Sequence, residues 1–405
     1  MTVSSRDGGS ADRGMPRRAF CRGAALGLGS LFIGQSPGSE RRSRGRMAGP
    51  LPPPVDTGRS TALCFNSRVS MHSGLTGTAT DQQISNVLWA AGQAPVIGAY
   101  RTIWLRTGDG TYLYHPEDHS LEYYSGETVS NAFRINYDRE LDFDAGVSYA
   151  LALAASVSMW TGTQSQLASC PQMSNLNFGI RSVPGLTDEL VAVSSDGTLP
   201  DPVTDDDDSF SSVVSNLALL DGFPPGLLTG TELSQLLWAG YGCTPHWTAN
   251  NRGGLTMPSW VAEYFLTGRI YLVHDAVLRF CNRVGSNLGT RDHRLELVQA
   301  ADVRDAVGQA LGDASTAQCY VLLCLTESGL NTWYQRLETG FVAGGILAQG
   351  AALGLSCNFR AALSSGEQQA LRQITQIPSG DYPHAVVAAG RVYSPRTIPR
   401  HPVAP

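Results

Sequence analysis

Residues 83–95 read Gln-Ile-Ser-Asn-Val-Leu-Trp-Ala-Ala-Gly-Gln-Ala-Pro, and residues 232–245 read Glu-Leu-Ser-Gln-Leu-Leu-Trp-Ala-Gly-Tyr-Gly-Cys-Thr-Pro. Ile84, Val87, Leu88 and Ala91 in the first copy, and Leu233, Leu236, Leu237 and Gly240 in the second, recur at i, i+3, i+4 and i+7. That spacing is one buried helical stripe. Polar N-cap candidates precede each copy (Thr80 or Asp81; Thr229 or Thr231), and a Gly followed by a Pro stops it. Two short helices of one pattern predict two related units.

The elements around them agree in order. Tyr100-Arg-Thr-Ile-Trp-Leu105 follows the first copy and Gly268-Arg-Ile-Tyr-Leu-Val273 the second, both β-branched and aromatic. A second strand is expected at Thr111-Tyr-Leu-Tyr114 and at Ala276-Val-Leu-Arg-Phe280. Long helices of small and apolar residues are expected over 145–157 and 339–355, and closing strands at Glu189-Leu-Val-Ala-Val193 and Ala385-Val-Val-Ala-Ala389. Glycines at 340, 344, 350 and 354 would also suit helix packing in a membrane. Gln349, Arg336 and Glu338 instead favour a buried core helix.

A chain of 405 residues, 42% hydrophobic and 16% charged, is globular and long enough for two or three domains. Its formal net charge of −6 and the lack of a long basic run in its body disfavour a nucleic-acid partner. The eight cysteines show neither CxxC nor metal spacing, and Cys319-Tyr-Val-Leu-Leu-Cys324 reads as a buried strand. His115 and His119 are four apart, but Pro116 breaks the helix that would align them on a metal. The run Asp205-Asp-Asp-Asp208, flanked by Pro200 and Pro202, reads as a solvated linker without the oxygen-ligand spacing of a calcium loop.

The N-terminal segment has a different character. Pro16-Arg-Arg-Ala-Phe-Cys-Arg22, followed by the weakly apolar, Gly-rich residues 23–34, matches a twin-arginine export signal, with Met15 as the start that the pattern suggests. The apolar stretch is too short for a stable bilayer span, and no Ala-x-Ala cleavage site follows. Expected organisation is a leader and linker over 1–55, a first unit over 56–202, an acidic linker over 203–208 and a second unit over 209–405. Export to the periplasm or another extracytoplasmic compartment is the expected localisation, with the cytoplasm as the alternative.

Several of these residues resemble the nitroreductase-like flavin oxidoreductase superfamily, over roughly residues 62–395. They are Arg68-Val-Ser70-Met-His72 ahead of Leu-Trp-Ala-Ala, Leu-Leu-Trp-Ala-Gly-Tyr-Gly, Arg252 with Pro258-Ser259 before Ile-Tyr-Leu-Val, Leu337-Glu-Thr-Gly-Phe, Ala-Leu-Gly-Leu355, and Gly390-Arg391. The branch most similar is the dehydrogenase group related to azoline-oxidising enzymes of modified-peptide biosynthesis, as an internally duplicated member. The resemblance implies an α+β fold, an antiparallel sheet flanked by helices, with two tandem units forming an intrachain pseudo-dimer. It also implies FMN at the junction of the units, hydride transfer through flavin N5 and transient access for a nicotinamide donor.

The implied site is composite. Arg68 and Ser70 match the Arg-x-Ser-x-Arg opening that grips the flavin phosphate, for which the guanidinium fork suits the phosphate oxygens. His72 stands in place of the second Arg, and Arg391 is expected to supply the missing charge. The second unit has lost this opening, since 209–216 hold no arginine, but keeps Arg252, Pro258 and Ser259 where the family cradles the ring. Trp260 replaces a small residue there, to stack on the ring or to obstruct it. Three functions stay open: an FMN oxidoreductase acting on an unidentified small molecule with NAD(P)H as a candidate donor, a catalytically degenerate scaffold of the same fold, and a membrane-attached partner-binding module.

Overall fold

The repeated apolar stripes converge on two long helices that touch along their backbones. The computed structural model describes residues 47–70, 75, 77–95, 97, 101–129, 132–137, 142–160, 166–172, 175–181, 185–189, 199–206, 208–220, 222–247, 253–283 and 291–392. Up to residue 181 the elements are β1 (Gly49–Pro50), α1 (Thr61–Asn66), α2 (Asp81–Gln93), β2 (Arg101–Arg106), β3 (Thr111–His115), β4 (Ser120–Ser125), β5 (Ala132–Tyr137), α3 (Asp142–Ser158), β6 (Gln166–Gln172) and β7 (Asn175–Arg181). Then come α4 (Phe210–Ser215), α5 (Gly230–Tyr241), β8 (Cys243–Trp247), β9 (Gly253–Leu255), β10 (Ile270–Val273), β11 (Val277–Arg283) and β12 (Arg291–Gln299). The last are α6 (Arg304–Leu311), β13 (Cys319–Leu325), α7 (Glu327–Leu330), α8 (Trp333–Ala352), β14 (Ser356–Ala361), α9 (Ser365–Thr375) and β15 (Tyr382–Gly390).

One sheet runs β1-β4-β3-β2-β5-β7-β6 and another β12-β11-β10-β13-β15-β14, with β8 and β9 forming a separate ribbon. Every strand pair is antiparallel. The tryptophan helices are α2 and α5, capped by Thr80 and Thr229 in capping boxes closed by Gln83 and Glu232. α2 packs on α3 and α5 on α8, and α3 packs on α8.

The two halves meet through reciprocal contacts. A Cβ placed on Gly146 would lie 2.2 Å from the Leu337 carbonyl oxygen, and one on Gly340 would lie 2.1 Å from that of Phe143. The two glycines also face each other's Cα, and Asp142 accepts from Arg336 Nε at 2.9 Å. Gly146 and Gly340, and Asp142 and Arg336, are each 194 positions apart, and the carbonyl contacts exchange residues of the same spacing, Phe143 and Leu337. A second reciprocal set surrounds the antiparallel bridge of Ser60 with Ser209, where Phe210 N–H donates to Arg59 O at 2.8 Å and Thr61 N–H to Asp208 O at 3.3 Å. Ser60 and Ser209 also cap α1 and α4. Such self-complementary pairs are what a two-fold interface produces, here within one chain.

Contacts inside each half repeat as well. Ser85 and Ser234 both hydroxyl-bond a proline carbonyl (Pro52, 2.5 Å; Pro200, 2.6 Å) and a histidine Nε2 (His119, 2.8 Å; His293, 2.7 Å). Asn86 and Gln235 each bracket the backbone of one valine, Val55 or Val203.

Some expectations shift. α8 begins two turns before residue 339, because Trp333, Tyr334 and Arg336 extend the helix, and it stops at Ala352. Residues 190–193 of the expected closing strand lie outside the described residues, while β6 and β7 form a hairpin that the sequence pattern did not announce. The acidic run is not uniformly solvated. Asp205 accepts from Ser60 Oγ and Asp206, half-buried, accepts from Gln349 Nε2 at 3.2 Å, so it lies over the junction. Cys64, Cys243, Cys281, Cys319, Cys324 and Cys357 are buried free thiols. Among the described residues no helix is long and apolar enough to cross a membrane, and no three His, Cys, Asp or Glu side chains group as a metal site.

The glycine crossing carries the first prediction. Gly340→Ala places a methyl against backbone that cannot yield, so it should cost at least the ~1–3 kcal/mol of an overpacked core. Gly366→Ala, in the first turn of α9 with no atom nearer than 3.9 Å, should be neutral or stabilising by up to ~1 kcal/mol. Urea unfolding of the two variants tests the contrast; equal midpoints would mean that the crossing is not as tight as described.

Candidate functional site

Arg68 follows α1, and its guanidinium reaches across into the second half. Nε donates to the Thr256 carbonyl at 2.6 Å, Nη2 donates to the Leu255 carbonyl, and Nη1 donates to Ser70 Oγ at 2.6 Å. The residue is 4% exposed, and burial pushes its pKa down to about 10, still charged at neutral pH. A charge that deep is tolerable because carbonyl and hydroxyl acceptors replace water. Thr256 is fixed in turn: its N–H donates to Gly242 O and its Oγ1 to Trp238 O, both at 2.9 Å. The second tryptophan helix therefore positions the acceptors of the first half's arginine.

Beyond Thr256 the chain passes buried Pro258 and makes a strained turn. Ala262 and Tyr264 both have φ of +56°, a region that side chains with a Cβ occupy at a cost of order 1–3 kcal/mol. Ser259 holds the turn, accepting from Tyr264 N–H at 2.7 Å while donating to Glu338 Oε2. Tyr241 donates to Glu338 Oε1, which also accepts from Leu266 N–H at 3.4 Å. Glu338 is 1% exposed, and burial pushes its pKa up to about 7 against the pull of these hydrogen bonds. The carboxyl is a neutral-to-charged switch point inside the wall of the site.

The expected residues separate into groups. Arg68, Ser70, Pro258 and Ser259 lie on the two segments that Arg68 joins. His72 and Arg252 fall outside the described residues. Arg391 pairs with Glu232 Oε1, and its N–H donates to Gln318 Oε1 at 3.3 Å, so it lies at the start of α5 and is not brought to Arg68. Glu232 pairs with its guanidinium there. Trp260 stacks on Tyr334 with centroids 5.7 Å apart and planes at 21°, and meets Trp333 edge-on at 5.8 Å. Its indole is therefore packed against the first turn of α8.

Tyr241, Tyr264, Arg283 and Glu338 were missed as site residues. Glu338 had a visible signal, a lone carboxylate opening an apolar helix. Arg283 had none, since it ends a strand whose neighbours in sequence say nothing of what it faces.

No family model matches the chain. No curated protein matches it. Solved structures do. A protein assigned as a nitroreductase in Anabaena variabilis aligns over 83% of this chain and 100% of its own, with 11% identity and a TM-score of 0.51. One so assigned in Ralstonia eutropha aligns over 52% of this chain and 97% of its own, with 22% identity and a TM-score of 0.40. An FMN-dependent nitroreductase from Clostridium difficile aligns over 46% and 88%, with 11% identity and a TM-score of 0.32. The Anabaena match is too long to fit within either half. It shows the fold class: α+β and nitroreductase-like.

Glu338 makes stability depend on pH. An unfolded glutamate titrates near 4.5 and the folded one near 7, so between these values the native state holds the extra proton. Stability from this group is then full below about 4.5 and falls as pH rises to 7, by roughly 3 kcal/mol at ~1.36 kcal/mol per pKa unit. Glu338→Gln should flatten that slope and be relatively more stable at pH 8 than at pH 5. Urea midpoints across pH 4.5–8 measure it; parallel wild-type and variant curves would count against a buried titrating carboxyl.

Proposed function

We propose that this chain is an FMN-dependent oxidoreductase of the nitroreductase type, with one flavin site at the junction of its halves. The observation that carries the reading is Arg68 of the first half bonded to Leu255 and Thr256 of the second, two residues before Pro258 and Ser259. That is the composite arrangement the resemblance implies. The residues suit a phosphate: of the five N–H donors of a guanidinium, three are engaged among the described residues, and two remain. Ser70, accepting from Arg68, keeps its own hydroxyl proton to donate.

Bound FMN supplies a hydride acceptor and donor at N5. The chain's part is to hold it. Arg68 and Ser70 would hold the phosphate, while Ser259, Tyr241 and Glu338 fix the 259–266 turn that would support the ring. Such a site needs no titrating catalytic side chain, because fixed donors stabilise the charge that develops on the ring. NAD(P)H as transient donor, a small-molecule acceptor, and kinship with the azoline-oxidising branch belong to the same proposal. So do descent from a duplicated homodimer gene and unit boundaries near 202 and 209. The repeated Ser85/Ser234 and Asn86/Gln235 contacts support the duplication.

A folded scaffold without flavin is the second reading. It is favoured by Trp260, whose indole fills the place of a small residue and lies on Tyr334. Purified protein decides between them. The oxidoreductase should take up FMN near one per chain after reconstitution, and Arg68→Ala should weaken binding roughly ten- to a hundredfold, at ~1.5–3 kcal/mol per charge-assisted bond and ~1.4 kcal/mol per decade. Ser70→Ala should cost less. Wild-type protein that stays colourless in excess FMN would leave the scaffold.

We also propose export by the twin-arginine route, which carries folded proteins and so suits a chain that acquires its flavin inside the cell. Replacing Arg17 and Arg18 by Lys should hold the protein in the cytoplasm in a fractionation assay. Unchanged distribution of the double variant refutes the route.

A further inference from the structure

Glu338 sits in a buried network with one member near the surface. Its Oε1 accepts from the Tyr241 hydroxyl and from Leu266 N–H, and its Oε2 accepts from the Ser259 hydroxyl. The carboxyl is 1% exposed and Tyr241 is fully buried, whereas Ser259 is half-buried. Of the two side chains bonded to Glu338, the serine is the one that reaches toward solvent. Ser259 Oγ also accepts from Tyr264 N–H at 2.7 Å. A hydroxyl has one proton and two lone pairs. With Glu338 ionised, that proton is held by the carboxylate and one lone pair by Tyr264, so Ser259 faces outward only as an acceptor.

Protonation reverses the contact. A proton on Oε2 turns it from acceptor to donor, and the partner within reach is Ser259 Oγ. The serine then accepts twice, from Glu338 and from Tyr264, and its own proton is left for a group outside. Oε1 keeps both of its donors in either state, so the exchange is confined to the contact of Glu338 with Ser259. The other ionisable groups around this part of α8 keep their charge near neutral pH. Tyr241 and Tyr264 stay neutral, burial foremost raising both phenols. His384, bonded to Thr339, is pushed down to about 4 by burial. Arg336 is paired with Asp142 and Arg269 with Asp381, while Arg68 and Arg283 act on the Tyr264 phenol. Glu338, pushed up by burial to about 7, is the one of these groups that titrates near neutrality.

We propose that Ser259 is a hydrogen-bond donor to the bound ligand and that Glu338 is the residue that switches this donor on. The inference rests on the flavin reading, and the ligand group is an acceptor atom of the flavin ring, a carbonyl oxygen or an unprotonated nitrogen. Glu338 is a positioning residue: it takes one proton from solvent, holds it on Oε2 and acts on the ligand only through Ser259. No bond of the ligand is made or broken. Because the contact requires the protonated carboxyl, binding and proton uptake are linked, and the ligand raises the pKa of Glu338 further. Affinity is therefore greatest below about 7 and falls as pH rises above it.

Titration of flavin-free protein with FMN between pH 6.5 and 8.5 reads this linkage by two signals, flavin fluorescence for Kd and a pH indicator in weakly buffered solution for protons. Wild type should lose affinity by up to about tenfold per pH unit above 7 and take up about one proton per FMN bound at pH 8. Glu338→Gln keeps Oε1 as an acceptor and presents an amide N–H to Ser259, which copies the protonated carboxyl. It should bind FMN as tightly at pH 8.5 as wild type does at pH 6.5, with no proton uptake. Ser259→Ala should also be flat with pH but weaker, near the affinity of wild type at pH 8.5. Ser259→Thr, which restores the hydroxyl, should restore the pH dependence, and this pair carries the test if Glu338→Gln does not fold. Ionisation of FMN itself is common to wild type and variants and cancels in the comparison. If wild type binds FMN with the same affinity across the range and without proton uptake, or if Glu338→Gln keeps the wild-type pH dependence, the inference is overturned while the flavin reading stands. If wild type binds no FMN at any pH, the flavin reading fails and this inference fails with it.

Discussion

Two helices cross here with nothing but hydrogens between their backbones. Gly146 and Gly340 face each other so closely that neither has room for a Cβ, and the carbonyls of Phe143 and Leu337 occupy the space on either side. Close approach of this kind gains dispersion contact along both helices and admits only glycine at its centre. It also fixes the separation of everything attached. α5 rides on α8, with Gly240 against Val342 and Ile346 and Gly345 against the Ala239 carbonyl, so the second tryptophan helix is set from the same crossing. Thr256 hangs on Trp238 and Gly242 of that helix, and Arg68 hangs on Thr256. The reach of one guanidinium between halves thus depends on two missing side chains some distance away.

The two halves repeat each other where the core packs and differ around Arg68. The 149-residue spacing that aligns Ser60 with Ser209 and Ser85 with Ser234 puts Leu217 and Leu219 opposite Arg68 and Ser70. Both leucines are fully buried, so apolar packing occupies the positions equivalent to Arg68 and Ser70. In the first half, only 12 positions separate Trp89 from Arg101, against 31 from Trp238 to Arg269. The ribbon, the Pro258-Ser259 turn and the strained Ala262 and Tyr264 have no room to exist there. One half lacks the arginine and the other lacks the turn, leaving one place where both are present.

What the sequence revealed follows from how local each signal is. The capped stripes of α2 and α5 and the small-residue runs of α3 and α8 are periodic, and periodicity survives in a single chain without relatives. β6 and β7 escaped because Gln166–Gln172 contains Ser, Cys and Pro rather than a β-branched alternation, and their pairing is set by a hairpin rather than by intrinsic preference. Arg68 and Ser259 were legible as motif residues, and the resemblance joined them in one site across 191 positions; what it did not show is that the Leu255 and Thr256 carbonyls make the link. Arg391 shows the converse. A cation after a closing strand looked available, and a capping carboxylate, Glu232, had already claimed it.

Buried polarity is the property that separates this junction from an ordinary core. An apolar residue in place of Arg68 would orphan the Leu255 and Thr256 carbonyls, and one in place of Glu338 the Tyr241 and Ser259 hydroxyls, at about 1–3 kcal/mol for each buried group left unpaired. Both groups lie among the buried Leu255, Tyr264 and Leu266. Ser259 supplies the link: it joins Glu338 on α8 to the strained backbone of Tyr264, whose ring carries Arg283 above it. Strain, a carboxyl poised near neutrality and guanidiniums with idle donors occur together only on this side of the molecule among the described residues. Each alone is a small cost; Ser259 brings the strain and the carboxyl onto one turn, with the Arg283 guanidinium over its tyrosine.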